Sequence, residues 1–138
     1  MWVCPKCQRK FAKSNQMHSC RTISLDQHFV NKPKAQEIFN QLLQMITKEI
    51  GKVEIISLPC CVHLYGQYDF LAALPKADKL EIRFALNRLL DSPRRINQVA
   101  LSQQSYKNCI DVYDIKDVDE ELLSWVKEAF FLKDKQES

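Results

Sequence analysis

Residues 79–87, K-L-E-I-R-F-A-L-N, decide the fold class of this chain. Apolar side chains occupy every second position of the stretch and alternate with polar or small ones: Leu80, Ile82, Phe84 and Leu86 against Glu81, Arg83 and Ala85. Successive side chains of a strand point to opposite faces of a sheet, so this alternation predicts a strand with one covered and one wetter face. Another layer of the fold must therefore cover the apolar face.

The same period of two continues on both sides of this strand. Short breaks rich in Pro, Gly, Asp and Ser divide the region into six predicted strands. They are Val53–Leu58, Cys60–Tyr65, Tyr68–Leu74, Lys79–Asn87, Arg95–Leu101 and Tyr106–Tyr113. Because the connections are too short for crossover helices, we expect a six-stranded antiparallel meander.

Two helical patterns flank the strands. From Pro33 to Gly51 the apolar residues recur at helical spacing, which predicts an amphipathic helix. A capping box that begins at Ser24 predicts a short helical turn before it, and a cap formed by Asp117 and Glu120 predicts a second helix at the C-terminus. We therefore expect an α+β fold in which an N-terminal and a C-terminal helix pack on one face of the sheet.

The first twenty residues contain a candidate metal site. Cys4 and Cys7 form a C-P-x-C turn, and His18 and Cys20 follow as H-S-C after a ten-residue interval. Four soft or borderline ligands in so short a span are typical of one tetrahedral Zn²⁺. Four protein ligands leave no position for water, so we expect this zinc knuckle to be structural and not catalytic. A segment of this length cannot build its own core, and metal binding would supply most of its folding free energy.

Composition and patterning divide the chain into three parts. Residues 1–21 form the zinc-knuckle element, residues 22–133 the α+β domain, and residues 134–138 a frayed tail. The 46% hydrophobic and 27% charged content is typical of a globular protein, and no apolar run approaches the roughly 20 residues needed to span a bilayer. Cysteines without a secretory signal favour a reducing compartment, so we expect a cytoplasmic protein that makes no membrane contact.

Basic residues cluster at two places. Residues 1–21 carry five bases and no acid, whereas residues 111–138 carry nine acids against four bases. A basic surface can bind nucleic-acid phosphates, although solvated charge is the ordinary reading of such clusters. The candidate contacts are Arg9, Lys10 and Lys13 in the knuckle, and Arg83, Arg94 and Arg95 near one hairpin.

The cluster Cys60, Cys61 and His63 permits other readings. A nucleophilic thiol needs a base within hydrogen-bond reach, but on a strand the Cβ atoms of Cys61 and His63 would lie about 7 Å apart. Cys60 should point to the opposite face, and strand cysteines commonly act as small hydrophobes. A second metal site made of Cys61, His63 and Cys109 is an alternative. A small-ligand surface made of His63, Tyr65 and Arg83 is another.

The N-terminal pattern resembles an uncharacterised bacterial family, domain-of-unknown-function family 5655. The residues that carry the resemblance are Cys4, Pro5, Cys7, Phe11, Gln16, His18, Ser19 and Cys20, followed by S-L-D-Q-H-F at 24–29 and D-V-D-E-E-L-L-S-W-V-K-E-A-F at 117–130. The resemblance implies an α+β domain with a zinc element, and it supplies no established activity. This chain departs from it at Cys60–His63 and at Asn108-Cys109, where relatives tend to have a Thr-Lys-Thr-like stretch and histidines.

Taken together, these patterns favour a zinc-binding, non-enzymatic module that engages nucleic acid or another protein. Two alternatives stay open. One is a small enzyme or small-ligand binder that uses the open face of the sheet, and the other is a purely structural subunit.

Overall fold

A computed structural model describes residues 2–11, 14–15, 17, 21–66, 68–90, 92–102 and 105–135, with the backbone alone at 95–102 and 133–135. The helices are α1 (Pro33–Glu49) and α2 (Glu120–Lys135), with short 3₁₀ helices at Leu25–Phe29 and Ile115–Asp117. The strands are β1 (Trp2–Val3), β2 (Lys10–Phe11), β3 (Glu54–Ser57), β4 (Val62–Tyr65), β5 (Asp69–Pro75), β6 (Leu80–Leu86), β7 (Arg95–Ser102) and β8 (Ser105–Val112). The predicted α+β class is confirmed.

Strands β3 to β8 form one antiparallel sheet of six strands in the order β3-β4-β5-β6-β8-β7. The expectation of a simple meander is therefore wrong at the end of the sheet, because β8 lies between β6 and β7. The segment between β6 and β7 is not a tight turn: Leu90 within it is buried, and its N–H donates to the Oδ1 atom of Asn108 at 3.0 Å. This anchored connection carries the chain past the position that β8 occupies.

Both helices pack on the same face of the sheet. On β6 the four predicted apolar positions are at most 2% exposed, while the residues between them are only half-buried. Helix α1 contributes a fully buried stripe that includes Ile38 and Ile46, and α2 contacts β5 and β6. The hydrophobic core thus lies between the helices and one side of the sheet, as the alternation predicts.

The ends of α1 follow the predicted signals, whereas the capping box does not form. Pro33 is the first residue of α1, and Gly51 follows its end with a positive φ of 131°. That φ is readily adopted by glycine alone. At Ser24 the side chain makes no capping hydrogen bond, and only its carbonyl oxygen accepts from the backbone N–H of Gln27.

The N-terminal cap of helix α2 lies two residues later than predicted. Asp119 caps it, because its Oδ1 atom accepts from the N–H of Leu122 at 3.0 Å, and Asp117 belongs instead to the preceding 3₁₀ helix. The helix continues to Lys135, so residues 134–135 of the predicted tail are helical. No helix in the described part of the chain combines the length and the apolar character needed to cross a bilayer.

The N-terminal element packs on the β3–β4 side of the domain. Strands β1 and β2 pair antiparallel, and the rings of Trp2 and Phe11 face each other at 5.9 Å between centroids. The Nε atom of Arg9 donates to the hydroxyl oxygen of Tyr65 at 3.3 Å. Arg9 is only 9% exposed, so this contact joins the two parts of the chain through buried atoms.

Candidate metal site on the open sheet face

The sheet face opposite the helices, called here the open face, carries His63, Ala72 and Arg83 in one row across β4, β5 and β6. Cys61 lies just before β4, and its Sγ atom is 3.0 Å from the Nε2 atom of His63. The expectation that these side chains are too far apart is wrong. Cys61 belongs to a turn closed by the N–H of Leu58 donating to its carbonyl oxygen, so strand spacing does not apply to it.

Cys60 joins the same cluster. Its Sγ atom is 3.0 Å from that of Cys61, so the expectation that Cys60 points to the opposite face is also wrong, for the same reason. The two sulfurs and one ring nitrogen of His63 are ligand atoms that all lie within 4.8 Å of one another. Cys109, proposed from the sequence as a third ligand, is buried on β8 and is not a member of this group.

Asp69 orients the imidazole of His63. Its Oδ2 atom is 2.5 Å from the Nδ1 atom of His63. An ionised carboxylate can only accept hydrogen bonds, so Nδ1 carries the hydrogen and Nε2 presents its lone pair to the sulfur atoms. A carboxylate behind a histidine in this way is the usual outer shell of a metal-bound imidazole.

A β-bulge sets which β5 side chains join the cluster. Leu64 lies opposite Leu71 and Tyr65 opposite Asp69, so Phe70 is an extra residue in β5. Opposed residues of an antiparallel pair share a face, which places Asp69 on the same face as His63. The ring of Phe70 turns into the core, where it packs edge-on against Phe130 at 5.1 Å.

A cavity of about 340 Å³ adjoins the cluster on the open face. Its polar lining residues are Cys60, Cys61, His63, Asp69, Arg83 and Lys107, and the rest of its wall is apolar, including Ala72 and Leu74. Of the small-ligand surface predicted from the sequence, His63 and Arg83 line this cavity. Tyr65 does not line it, because it is 1% exposed and bonded to Arg9.

Burial controls the charge state of the thiols. The pKa of Cys61 is raised to about 12, chiefly by desolvation and also by the hydrogen bond and charge of Cys60, while the charge of Arg83 opposes the change. Burial likewise raises the pKa of Cys109, again with Arg83 opposing. Without a cation both thiols are therefore protonated at neutral pH.

The predicted C-P-x-C turn is present at the N-terminus. The N–H of Gln8 donates to the carbonyl oxygen of Cys4 at 2.8 Å, and Gln8 adopts a positive φ of 64°. Cys4 is buried and Cys7 is half-buried. The other two predicted ligands, His18 and Cys20, lie outside the described residues, so the four-ligand zinc site stays a prediction.

Four of the six predicted nucleic-acid contacts already have partners within the chain. The partners are Tyr65 for Arg9, Glu54 for Lys10, Glu81 for Arg83, and Asp119 with Glu121 for Arg94. Lys13 and the side chain of Arg95 lie outside the described part of the chain. Nucleic-acid binding therefore stays a prediction, and the paired cations contribute less to it than their number suggests.

Asp69 is the site residue that the sequence reasoning missed. The turn that ends β4 could have identified it. Pairing counted outward from this turn places Asp69 opposite Tyr65, and Tyr65 shares a face with His63 because the two are two residues apart in β4. The bulge at Phe70 had no comparable signal.

A family model described as "Domain of unknown function (DUF5655)" matches residues 25–133. The match includes the candidate metal site, α1 and all but the last two residues of α2, and it begins after the predicted zinc knuckle. No curated protein and no solved structure matches the chain.

Proposed function

The chain belongs to the family DUF5655, and we propose that its function is to bind a thiophilic metal ion on the open face of its sheet. The observation that carries the proposal is the convergence of Cys60 Sγ, Cys61 Sγ and His63 Nε2, with Asp69 behind the histidine. Two thiolates and one imidazole form a ligand set that suits Zn²⁺ and other borderline or soft ions.

The cluster requires only a small adjustment to accept an ion. Around a tetrahedral zinc with Zn–S near 2.3 Å, two sulfurs lie about 3.8 Å apart. The two sulfurs here are 3.0 Å apart, and the exposed side chain of Cys60 can move outward by the remainder. A reducing compartment such as the cytoplasm would keep both residues as free thiols.

A metal ion also resolves the electrostatic problem of the cluster. Burial holds Cys61 in its protonated form, and a divalent cation reverses that preference because coordinated thiols are deprotonated. Two thiolates neutralise the ion, and His63 adds no charge. Three protein ligands leave one coordination position, as in zinc sites that accept an exogenous ligand.

The N-terminal Cys4 and Cys7, together with His18 and Cys20, are proposed to hold a separate structural zinc. Its role would be to fix the element whose Arg9 packs against Tyr65. The protein would then bind two ions, one structural and one exposed to the cavity.

The test is a titration of the reduced full-length chain with Co²⁺, which gives thiolate-to-metal charge-transfer absorption when cysteines bind it. We expect two equivalents for the wild type, one for the double variant Cys60→Ser/Cys61→Ser, and one for Cys4→Ser/Cys7→Ser. Cys109→Ser is the matched control, because it removes a buried cysteine outside the cluster, and it should retain two equivalents. Unchanged stoichiometry in Cys60→Ser/Cys61→Ser would refute the open-face site.

The contacts of Cys61 also favour a second candidate, a nucleophilic thiol. Cys61, His63 and Asp69 form a chain of nucleophile, base and orienting carboxylate. The protonated state of Cys61 and the neighbouring sulfur of Cys60 favour metal binding over this reading. Alkylation of metal-free protein with iodoacetamide distinguishes them: a nucleophilic site predicts that Cys61 reacts faster than free cysteine, and the metal site predicts slow reaction.

Binding of nucleic acid or another protein is a further proposal, carried by the excess of bases in residues 1–21. A mobility shift with DNA or RNA that weakens as salt rises would support it. Binding unchanged after neutralising Arg9, Lys10 and Lys13 would exclude the knuckle as the contact surface.

A further inference from the structure

The cavity beside Cys60, Cys61 and His63 has a second chemical feature that metal binding does not use. This feature is a pair of cationic side chains, Arg83 on β6 and Lys107 on β8, which line the cavity. In the register of the sheet, Ala72 lies between His63 and Arg83. The small side chain of Ala72 leaves room between the imidazole and the guanidinium.

Arg83 retains donors that could face a ligand. Its Nε atom donates to Glu81 at 2.5 Å, and among the described residues neither Nη atom has a hydrogen-bond acceptor. Lys107 likewise has no ion pair with any described carboxylate. A guanidinium whose terminal nitrogens are available suits a planar carboxylate, which it can bind through two parallel hydrogen bonds.

The hydrogen-bond donors around the cavity favour an anion. The carboxylates of Asp69 and Glu81 are already engaged by His63 and by the Nε atom of Arg83, whereas the Nη atoms of Arg83 and the ammonium of Lys107 have no acceptor among the described residues. A divalent ion held by two thiolates adds no net charge. The remainder of the wall is apolar, as at Leu74 and Ala85, and this suits a ligand with an organic body more than a bare inorganic ion.

We propose that the cavity binds a small organic carboxylate, whose acidic group contacts Arg83 and through one of its oxygens also occupies the open coordination position of the metal at Cys60, Cys61 and His63. This inference rests on the metal site proposed above. Arg83 would recognise the negative charge, Lys107 would strengthen the attraction from the rim, and the apolar wall around Ala72 would accept the organic body.

The test uses the Co²⁺-loaded protein with benzoate as the probe and benzamide as its neutral counterpart. Benzoate is expected to change the visible d–d absorption of the bound Co²⁺ in a saturable way, and benzamide is not. Inorganic phosphate should bind at least tenfold more weakly than benzoate, because it cannot use the apolar wall. Equal responses to benzoate and benzamide would overturn the proposal.

Variants separate recognition by Arg83 from its structural ion pair. Arg83→Gln should weaken benzoate binding about tenfold or more, since hydrogen bonds to charged groups are strong. Glu81→Gln breaks the same ion pair and keeps the guanidinium, so it should retain affinity within about twofold. An equal loss in both variants would overturn the proposal, because the ion pair and not the anion contact would then explain it.

Lys107→Gln should weaken binding by about two- to fivefold, as expected of a partly exposed cation. Its matched control is Lys52→Gln, an exposed lysine that does not line the cavity and should leave binding unchanged. In the Cys4→Ser/Cys7→Ser background, failure of the open-face metal site would abolish the charge-transfer band itself. Failure of the carboxylate proposal would leave that band intact and remove only the response to benzoate.

Discussion

Replacing Asp69 tests the arrangement of the candidate metal site most directly, because Asp69 is not itself proposed as a ligand. Its Oδ2 atom lies 2.5 Å from His63 Nδ1 and holds Nε2 toward the sulfurs. In Asp69→Asn the amide oxygen can still accept this hydrogen bond, but the negative charge is lost. In Asp69→Ala the imidazole loses both its charge partner and its fixed orientation.

The expected magnitudes follow from these two losses. Removing the partner behind a metal-bound histidine costs roughly 10- to 100-fold in metal affinity. Asp69→Asn should fall at the lower end, about 1.4 kcal/mol, and Asp69→Ala toward the upper end, about 2.7 kcal/mol. A smaller loss of metal affinity in Asp69→Asn than in Asp69→Ala would itself indicate that Asp69 acts through its hydrogen bond to His63.

The assay is competition for Zn²⁺ against a chromophoric chelator at fixed pH and under reducing conditions. A Cys4→Ser/Cys7→Ser background removes the proposed N-terminal site from the measurement. Asp78→Asn serves as the control for loss of one negative charge, because Asp78 is an exposed turn residue that does not line the cavity. Zinc affinity of Asp69→Ala within twofold of this background would show that His63 is not the ligand that Asp69 orients.

Three further predictions concern the fold that supports the site. Asn108→Ala should destabilise the protein by about 2–4 kcal/mol in urea unfolding, because it removes a fully buried amide together with the hydrogen bond that its Oδ1 atom accepts from the N–H of Leu90 and those that its Nδ2 atom donates to backbone carbonyls. Gly66→Ala should cost about 1–3 kcal/mol in the same assay, since a Cβ there would collide with the ring of Phe130; an unchanged midpoint would refute the close packing. Asp119→Ala should cost about 1 kcal/mol by loss of the α2 cap. Burial tends to raise the pKa of Asp119, but an amide and a nearby guanidinium lower it below 3.8, so the stability difference should be present at neutral pH and shrink as pH falls through that lowered pKa. A difference that grows in acid would contradict this sign.

Much of the fold could be predicted from local patterns. The alternation along β6 identified the buried face because strand geometry fixes where each second side chain points. Pro33 and Gly51 marked the ends of α1 because their backbone preferences are local. The position of β7 at the sheet edge was not predictable in this way, since it depends on how Leu90 and Asn108 anchor the preceding connection.

The candidate site was less predictable than the fold. Cys60, Cys61 and His63 were identified as a group, but the spacing argument treated all three as strand residues. Cys60 and Cys61 lie in the turn that the hydrogen bond between Leu58 and Cys61 closes, so their side chains do not follow the alternation of a strand. The formation of this turn depends on tertiary structure. The contribution of Asp69 required the pairing of β4 with β5, which no single strand pattern contains.

The extra residue in β5 determines the size of the cavity as well as the direction of Asp69. If the hairpin closed at the same turn without Phe70 being looped out, Leu71 instead of Ala72 would lie opposite His63. An isobutyl group would then fill the space between the imidazole and Arg83. The room for a ligand thus depends on the one extra residue in β5, and the core contact between Phe70 and Phe130 stabilises this bulge.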